Sequence, residues 1–183
     1  NPFIPWGVTL MELSEILKQV DGLSDPPVDQ WNPDFCGEID IEIKRNGDWY
    51  HEGGRIGRIK LVKLFASILK RESDSYFLVT PVEKVLIKVE ATPLVAVRYE
   101  IVDDALVFIN NLDQQIVLDH KHPLDITTGE PAVIWKRNIP ARITTKLMYQ
   151  LQMLAMEQGG LKEGGLYLRS NGQEFLLEKT TGT

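Results

Sequence analysis

One cysteine, three histidines and no long apolar run are what this chain of 183 residues offers for disulfide, metal and membrane-spanning roles. A single cysteine, Cys36, excludes an internal disulfide framework and fits a reducing cytosol, so a cytoplasmic location is expected. No apolar stretch approaches the roughly 20 residues that a membrane helix needs, and the first residues lack the basic-then-apolar pattern of a secretion signal. Positive charge is also scarce: 20 Lys and Arg against 26 Asp and Glu give a net charge of −6 and a pI near 5.1. Nucleic-acid binding draws its affinity from a net basic footprint, so DNA and RNA are poor partners for this chain. The catalytic signatures are missing too. There is no Gly-Lys-Ser/Thr phosphate loop, no dinucleotide fingerprint, no HExxH, no serine elbow and no paired-carboxylate pattern.

What remains is a foldable sequence. Hydrophobic residues make up 43% and charged residues 25%, enough apolar material for a core without staples. Thr9 and Glu12 have capping-box spacing, and Leu10, Leu13, Ile16, Leu17 and Val20 follow one helical face, so residues 1–24 read as an N-terminal helical extension. The prolines of Ser24-Asp25-Pro26-Pro27 end it. A strand at Ile39–Ile43 leads to Asn46-Gly47, a strong hairpin signal because both residues tolerate positive φ. Gly53, Gly54 and Gly57 precede an expected helix from Arg58 to Arg71, and two β-rich runs follow, joined by Thr80-Pro81-Val82-Glu83-Lys84. Beyond Pro93 come LVAVRYEIV, ALVFIN, QQIVLD and LDITTGEPAVIW as strands, a helix expected over Pro140–Glu157, and a hairpin turning at Asn171-Gly172.

These pieces suggest one unit used twice. Trp49 and Trp135, Arg58 and Arg142, and Val85 and Phe175 stand at offsets of 86, 84 and 90 residues. The expectation is an α+β fold of two related strand–helix–strand modules, residues 25–92 and 93–183, behind the N-terminal helix.

Several residues invite a functional reading. The connector presents Thr80, Glu83 and Lys84 within one turn, although Pro81 setting an ordinary turn with a surface ion pair explains the same residues. The stretch Gly53 to Arg58 runs into a helix start, whose free amides and partial positive charge attract anions. A cation there opposes the helix dipole by roughly 0.3–1 kcal/mol, so Arg58 calls for an anion or a salt bridge to Asp40 or Glu83. Arg55, Arg58, Lys60, Lys63, Lys70 and Arg71 form a basic island without an acid between them, the lysines reading as a solvated face. Asp119, His120, His122 and Asp125 have partial metal-site spacing but no further clear ligands, so no metal is assigned. His122, before Pro123, reads as a loop anchor or a donor. Cys36 between Phe35 and Gly37 reads as a small buried residue and not as a nucleophile. Trp31 and Trp49 suit core packing, or an apolar wall on which a base can stack. No catalytic residue is assigned.

Pro26-Pro27-Val28, Trp31-Asn32-Pro33, Phe35-Cys36-Gly37, Asp40, Gly47, Trp49, Ile56-Gly57-Arg58, Leu61-Val62, Leu64-Phe65, and Tyr76 with Leu78-Val79-Thr80-Pro81-Val82-Glu83-Lys84-Val85, with His122-Pro123-Leu124 further on, carry a family likeness. The chain resembles the bacterial family known as domain of unknown function 1285. That resemblance implies a duplicated α+β core whose second module is loosely pleckstrin-homology-like. It also implies a nucleotide-like ligand between the modules, a signalling role, and no known activity. Gly53-Gly54-Arg55 departs from the family, where a proline-containing loop is expected. The reading is then a non-catalytic regulatory or sensor protein that binds a small anionic, nucleotide-like ligand between its two modules, cofactor unknown. Arg58 and Lys84 would contact the anion, Thr80, Glu83 and His122 would orient it, and Trp31 or Trp49 would wall it. A protein-interaction module, with a protein partner or a homodimer, and an enzyme of unknown reaction are the alternatives.

Overall fold

The structure is a computed structural model and describes residues 25–180, apart from the side chain of Cys36. The expected N-terminal helix lies outside the described residues. The chain divides into two compact units, Asn1–Ala91 and Thr92–Thr183.

In the first unit the alternation of Ile39, Ile41 and Ile43 with Glu38, Asp40 and Glu42 builds a strand, β1 (Phe35–Ile43), with its isoleucines buried and its acids turned outward. The Asn46-Gly47 turn leads into β2 (Trp49–His51). Only Gly47 takes positive φ there, at 94°, while Asn46 uses its side-chain oxygen to accept from Asp48 N at 3.0 Å. Next come β3 (Gly54–Arg55), α1 (Ile59–Ser67), β4 (Leu69–Glu72), β5 (Ser75–Val79) and β6 (Lys84–Val89). The sheet order is β3-β2-β1-β6-β5-β4, with β1 and β6 parallel and the other pairs antiparallel. Helix α1 buries Val62, Phe65 and Ala66, and the Phe65 ring stacks on Trp49 at 5.9 Å and 11° between planes. Both aromatics are essentially solvent-free, so this contact is the centre of the unit's core.

The second unit opens with β7 (Leu94–Val102), β8 (Ala105–Asn110) and β9 (Gln115–Val117), and continues with β10 (Leu124–Asp125), β11 (Ala132–Ile134) and β12 (Pro140–Ile143). Their order is β10-β11-β12-β7-β8-β9, with β12 and β7 parallel. Helix α2 (Thr145–Glu157) then buries Leu147, Leu151 and Ala155, and β13 (Leu161–Lys162), β14 (Gly165–Ser170) and β15 (Gln173–Lys179) form a separate three-stranded sheet.

The fold expectation needs correction. The described chain is mostly β, with three sheets and two α-helices, and its units are not strand–helix–strand modules. Helix α1 stops at Ser67, because Leu69–Glu72 pairs with β5 from Leu69↔Leu78 to Glu72↔Ser75. Leu69 fits the helical apolar spacing and the buried face of a strand equally well, and the neighbouring strand decided between them. Helix α2 starts only at Thr145, because Pro140–Ile143 is held between β11 and β7. Thr144 caps it, its Oγ1 accepting from Leu147 N at 3.1 Å.

The proposed repeat fails for the same reason. Arg58 is the N-cap of α1 whereas Arg142 lies inside β12. Val85 belongs to a six-stranded sheet and Phe175 to the three-stranded one, while Trp135 precedes a short 3-10 turn instead of occupying a strand like Trp49. The second unit is likewise not the pleckstrin-homology-like module expected, since a further sheet follows its helix. What the two six-stranded sheets do share is a strand order: two antiparallel three-stranded meanders joined through a parallel pairing of the first strand with the last.

Candidate functional site

The turn between β5 and β6 is closed on itself. Thr80 is 2% exposed, and its Oγ1 accepts from Val82 N at 3.3 Å and Glu83 N at 3.0 Å, while Thr80 N donates to Glu83 O at 2.8 Å. The threonine therefore spends its hydrogen bonds on the turn. Glu83 keeps one carboxylate oxygen buried with no hydrogen-bond partner among the described residues.

Lys84 leaves the turn for the sheet surface. Its Nζ donates to both carboxylate oxygens of Glu72, at 2.9 and 3.1 Å, and sits 4.8 Å from the centre of the Phe77 ring. Lys70 Nζ, 3.8 Å from the same carboxylate, donates to Trp31 O at 3.2 Å. Glu72 thus gathers Lys70 and Lys84, and the backbone of half-buried Trp31 joins them. These side chains lie on the sheet face opposite α1. Lys70 pairs across Phe77 to Leu86, whereas the α1-facing row runs through buried Leu69, Leu78 and Val85.

Arg58 is placed elsewhere. It is exposed, its carbonyl accepts from Leu61 N and Val62 N, and its side chain caps nothing and has no ion-pair partner among the described residues. The first turn of α1 holds no acid, and Lys60 and Lys63 on the same helix are exposed. Arg55 is matched, its Nε 3.3 Å from Asp48 Oδ2. The loop that delivers the chain to this helix end is tied to the core where Ile56 N donates to Trp49 O at 2.8 Å. On the same face of β2 the Trp49 Nε1 and the His51 Nε2 are buried without hydrogen-bond partners among the described residues, His51 Nε2 standing 3.9 Å from Glu52 Oε1. Trp49 itself is sealed in the core.

His122 belongs to the second unit. Its backbone N donates to Asp119 Oδ1 at 2.8 Å, and its Nδ1 stands 3.2 Å from the same oxygen. His120 turns instead to the Phe175 ring, centroids 5.6 Å apart. The histidine pair is thus divided between two neighbours, and among the described residues no group of three His, Cys, Asp or Glu side chains is placed to hold a metal ion.

Sequence reasoning missed Glu72 and Phe77, which hold Lys84, because the helix expected through Arg71 hid β4, and only the register of β4, β5 and β6 brings these side chains to Lys84. It also missed a cavity of about 590 Å³ in the second unit, lined by Ile101, Leu154, Gln158 and Arg169 and by the β7–β8 and β14–β15 turns. The turns are tied directly, Asn171 N donating to Asp104 O at 2.9 Å. Gln158 and Arg169 lock each other: Arg169 N donates to Gln158 Oε1 at 2.8 Å and Gln158 Nε2 to Arg169 O at 3.1 Å. Two strand turns meeting a helix end have no signature in a linear sequence.

The domain described as "Domain of unknown function (DUF1285), N-terminal domain" matches residues 26–92, and "Protein of unknown function (DUF1285), C-terminal domain" matches residues 93–177. The chain belongs to the DUF1285 family. Among solved structures it is similar to a DUF1285 family protein from Silicibacter pomeroyi DSS-3, at 37% identity and a TM-score of 0.78, over 89% of this chain and 92% of that one. It is also similar to a DUF1285 family protein from Shewanella baltica OS155, at 30% identity and a TM-score of 0.52, over 60% of this chain and 87% of that one. A comparison with curated proteins finds no match. Among the described residues no helix is long and apolar enough to cross a membrane.

Proposed function

We propose that this DUF1285 protein is a non-catalytic regulatory or sensor protein whose first unit binds a small anionic, phosphate-bearing ligand at the amino end of α1. The observation that carries this reading is Arg58. It is an exposed guanidinium at a helix N-cap, with no acid in the first turn and no ion-pair partner among the described residues. A cation left unpaired against the positive end of a helix dipole is unfavourable alone, and an anion relieves both charges at once. The buried His51 Nε2 without a hydrogen-bond partner, on the hairpin that feeds this helix end, adds a polar group awaiting one. Lys84 contributes less than the sequence suggested, since Glu72 already neutralises it, and Thr80 is committed to its turn.

Calorimetric titration with inorganic phosphate, pyrophosphate and a nucleotide panel tests the proposal. Binding by the wild type, weakened about tenfold or more in Arg58→Ala at unchanged melting temperature, supports it, in keeping with the strength of a charge-assisted hydrogen bond. Absence of binding across the panel, or equal affinity in the variant, removes it.

A further inference from the structure

Helix α2 has two apolar faces, and its own unit covers only one. Leu147, Leu151 and Ala155 are fully buried. On the opposite side Tyr149, Met153 and Met156 are 65%, 50% and 54% exposed. Their spacing of four and then three residues makes one continuous stripe, and Lys146 extends it by a further three toward the helix start. Surface helices carry polar residues on that side as a rule. Tyrosine and methionine are, by contrast, side chains enriched at protein interfaces.

The charges beside the stripe say what covers it. Lys146 stands in the first turn and Glu157 at the last position of α2, both exposed and neither with an ion-pair partner among the described residues. With about 100° of rotation per residue they fall on the same flank of Met153, and their eleven-residue separation is about 16 Å along the axis. Tyr149 and Met156 fall together on the other flank. A two-fold axis perpendicular to two antiparallel helices reverses the axial direction and keeps each flank on its own side. It therefore sets Lys146 of one copy against Glu157 of the other, twice, while Tyr149 meets Met156 and Met153 packs at the centre. A parallel two-fold arrangement keeps each charge at its own height and swaps the flanks, so it forms neither Lys146–Glu157 pair.

We propose that α2 is a homodimer interface, in which two copies of this chain pack antiparallel through Tyr149, Met153 and Met156, with reciprocal Lys146–Glu157 pairs at both ends. This goes beyond the ligand reading and does not depend on it.

Sedimentation of the full chain over a wide concentration range tests it. The wild type is expected to show a monomer–dimer equilibrium. Met153→Asp is expected to be monomeric, with a thermal unfolding profile matching dilute wild type. Lys146→Glu, which places two acids together at each end, is expected to weaken association about tenfold or more, and the exchange Lys146→Glu with Glu157→Lys to restore it. A wild type monomeric throughout overturns the proposal. So does a dimer indifferent to Met153→Asp, which assigns association to another surface, or a charge exchange that does not recover it.

Discussion

Lys84 Nζ lies 2.9 and 3.1 Å from the two carboxylate oxygens of Glu72 and 4.8 Å from the centre of the Phe77 ring, with only 14% of its side chain exposed. The lysine on β6 is held by the ring face of Phe77 on the adjacent β5 and by the charge of Glu72 on β4, one strand further out, so it fastens β4, β5 and β6 together. Replacing Glu72 by Gln is expected to lower stability by about 1 kcal/mol, because a partly covered pair outperforms a fully solvated one. Urea unfolding at low and high salt checks this: the wild-type advantage narrows as salt screens the pair. A loss independent of salt would instead identify a packing defect.

Gly160 is required by space. A Cβ there meets Tyr167 O at 2.0 Å and Ala155 O at 3.0 Å, both backbone atoms, at the junction where Gly160 N donates to Ala155 O and Tyr167 N donates to Gly160 O. Gly160→Ala is expected to cost more than about 2 kcal/mol, since the backbone cannot step aside without breaking those bonds. Gly53, at φ 83° with open space around it, is expected to lose only about 1 kcal/mol on Gly53→Ala. Denaturant midpoints of the two variants measured side by side separate crowding from backbone conformation.

Asp103 and Asp104 make the β7–β8 turn with φ of 49° and 69°, both left-handed, where glycine or asparagine is the usual choice. Neither aspartate's carboxylate has a hydrogen-bond partner among the described residues, so no side-chain bond offsets the strain. Asp104→Gly is therefore expected to raise stability by about 0.5–1 kcal/mol. Thermal unfolding reads the gain, and an unchanged or lowered melting temperature contradicts it.

Burial pushes the Tyr76 hydroxyl above its usual value of 10.0, with the charge of Arg71 opposing and that of Asp74 adding to the shift. A group whose folded pKa is raised contributes stability that is fully present below its unfolded pKa and is lost as pH rises through the folded one. The alkaline limb of the pH–stability profile, from about pH 10 upward, should therefore be less steep in Tyr76→Phe than in the wild type. Ultraviolet titration of tyrosinate locates the folded transition directly, and a Tyr76 that ionises with the exposed tyrosines would overturn the assignment.

Much of the strand content was legible. β7 and β8 coincide with the runs read at 94–102 and 105–110, because long β-branched stretches between turn residues carry their own signal. The Asn171-Gly172 turn has both residues at positive φ, 51° and 74°, as that dipeptide favours. Short, mixed-character segments were not legible. Leu69–Glu72 and Pro140–Ile143 continue the periodicity of the neighbouring helices and become strands only because β5 and β7 lie beside them. Of the candidate site residues, Arg58 could be placed at a helix start from the glycines before it. That Lys84 faces away from α1, held by Glu72, required the register of three strands.

Composition, charge sign, strand runs and turn chemistry belong to the sequence itself, since each rests on residues at most a few positions apart. Which residues end a helix by joining a sheet, which cations find partners and which face of α2 stays uncovered are decided by neighbours distant along the chain. Those pairings follow from hydrogen-bond register and burial, and no local pattern encodes them.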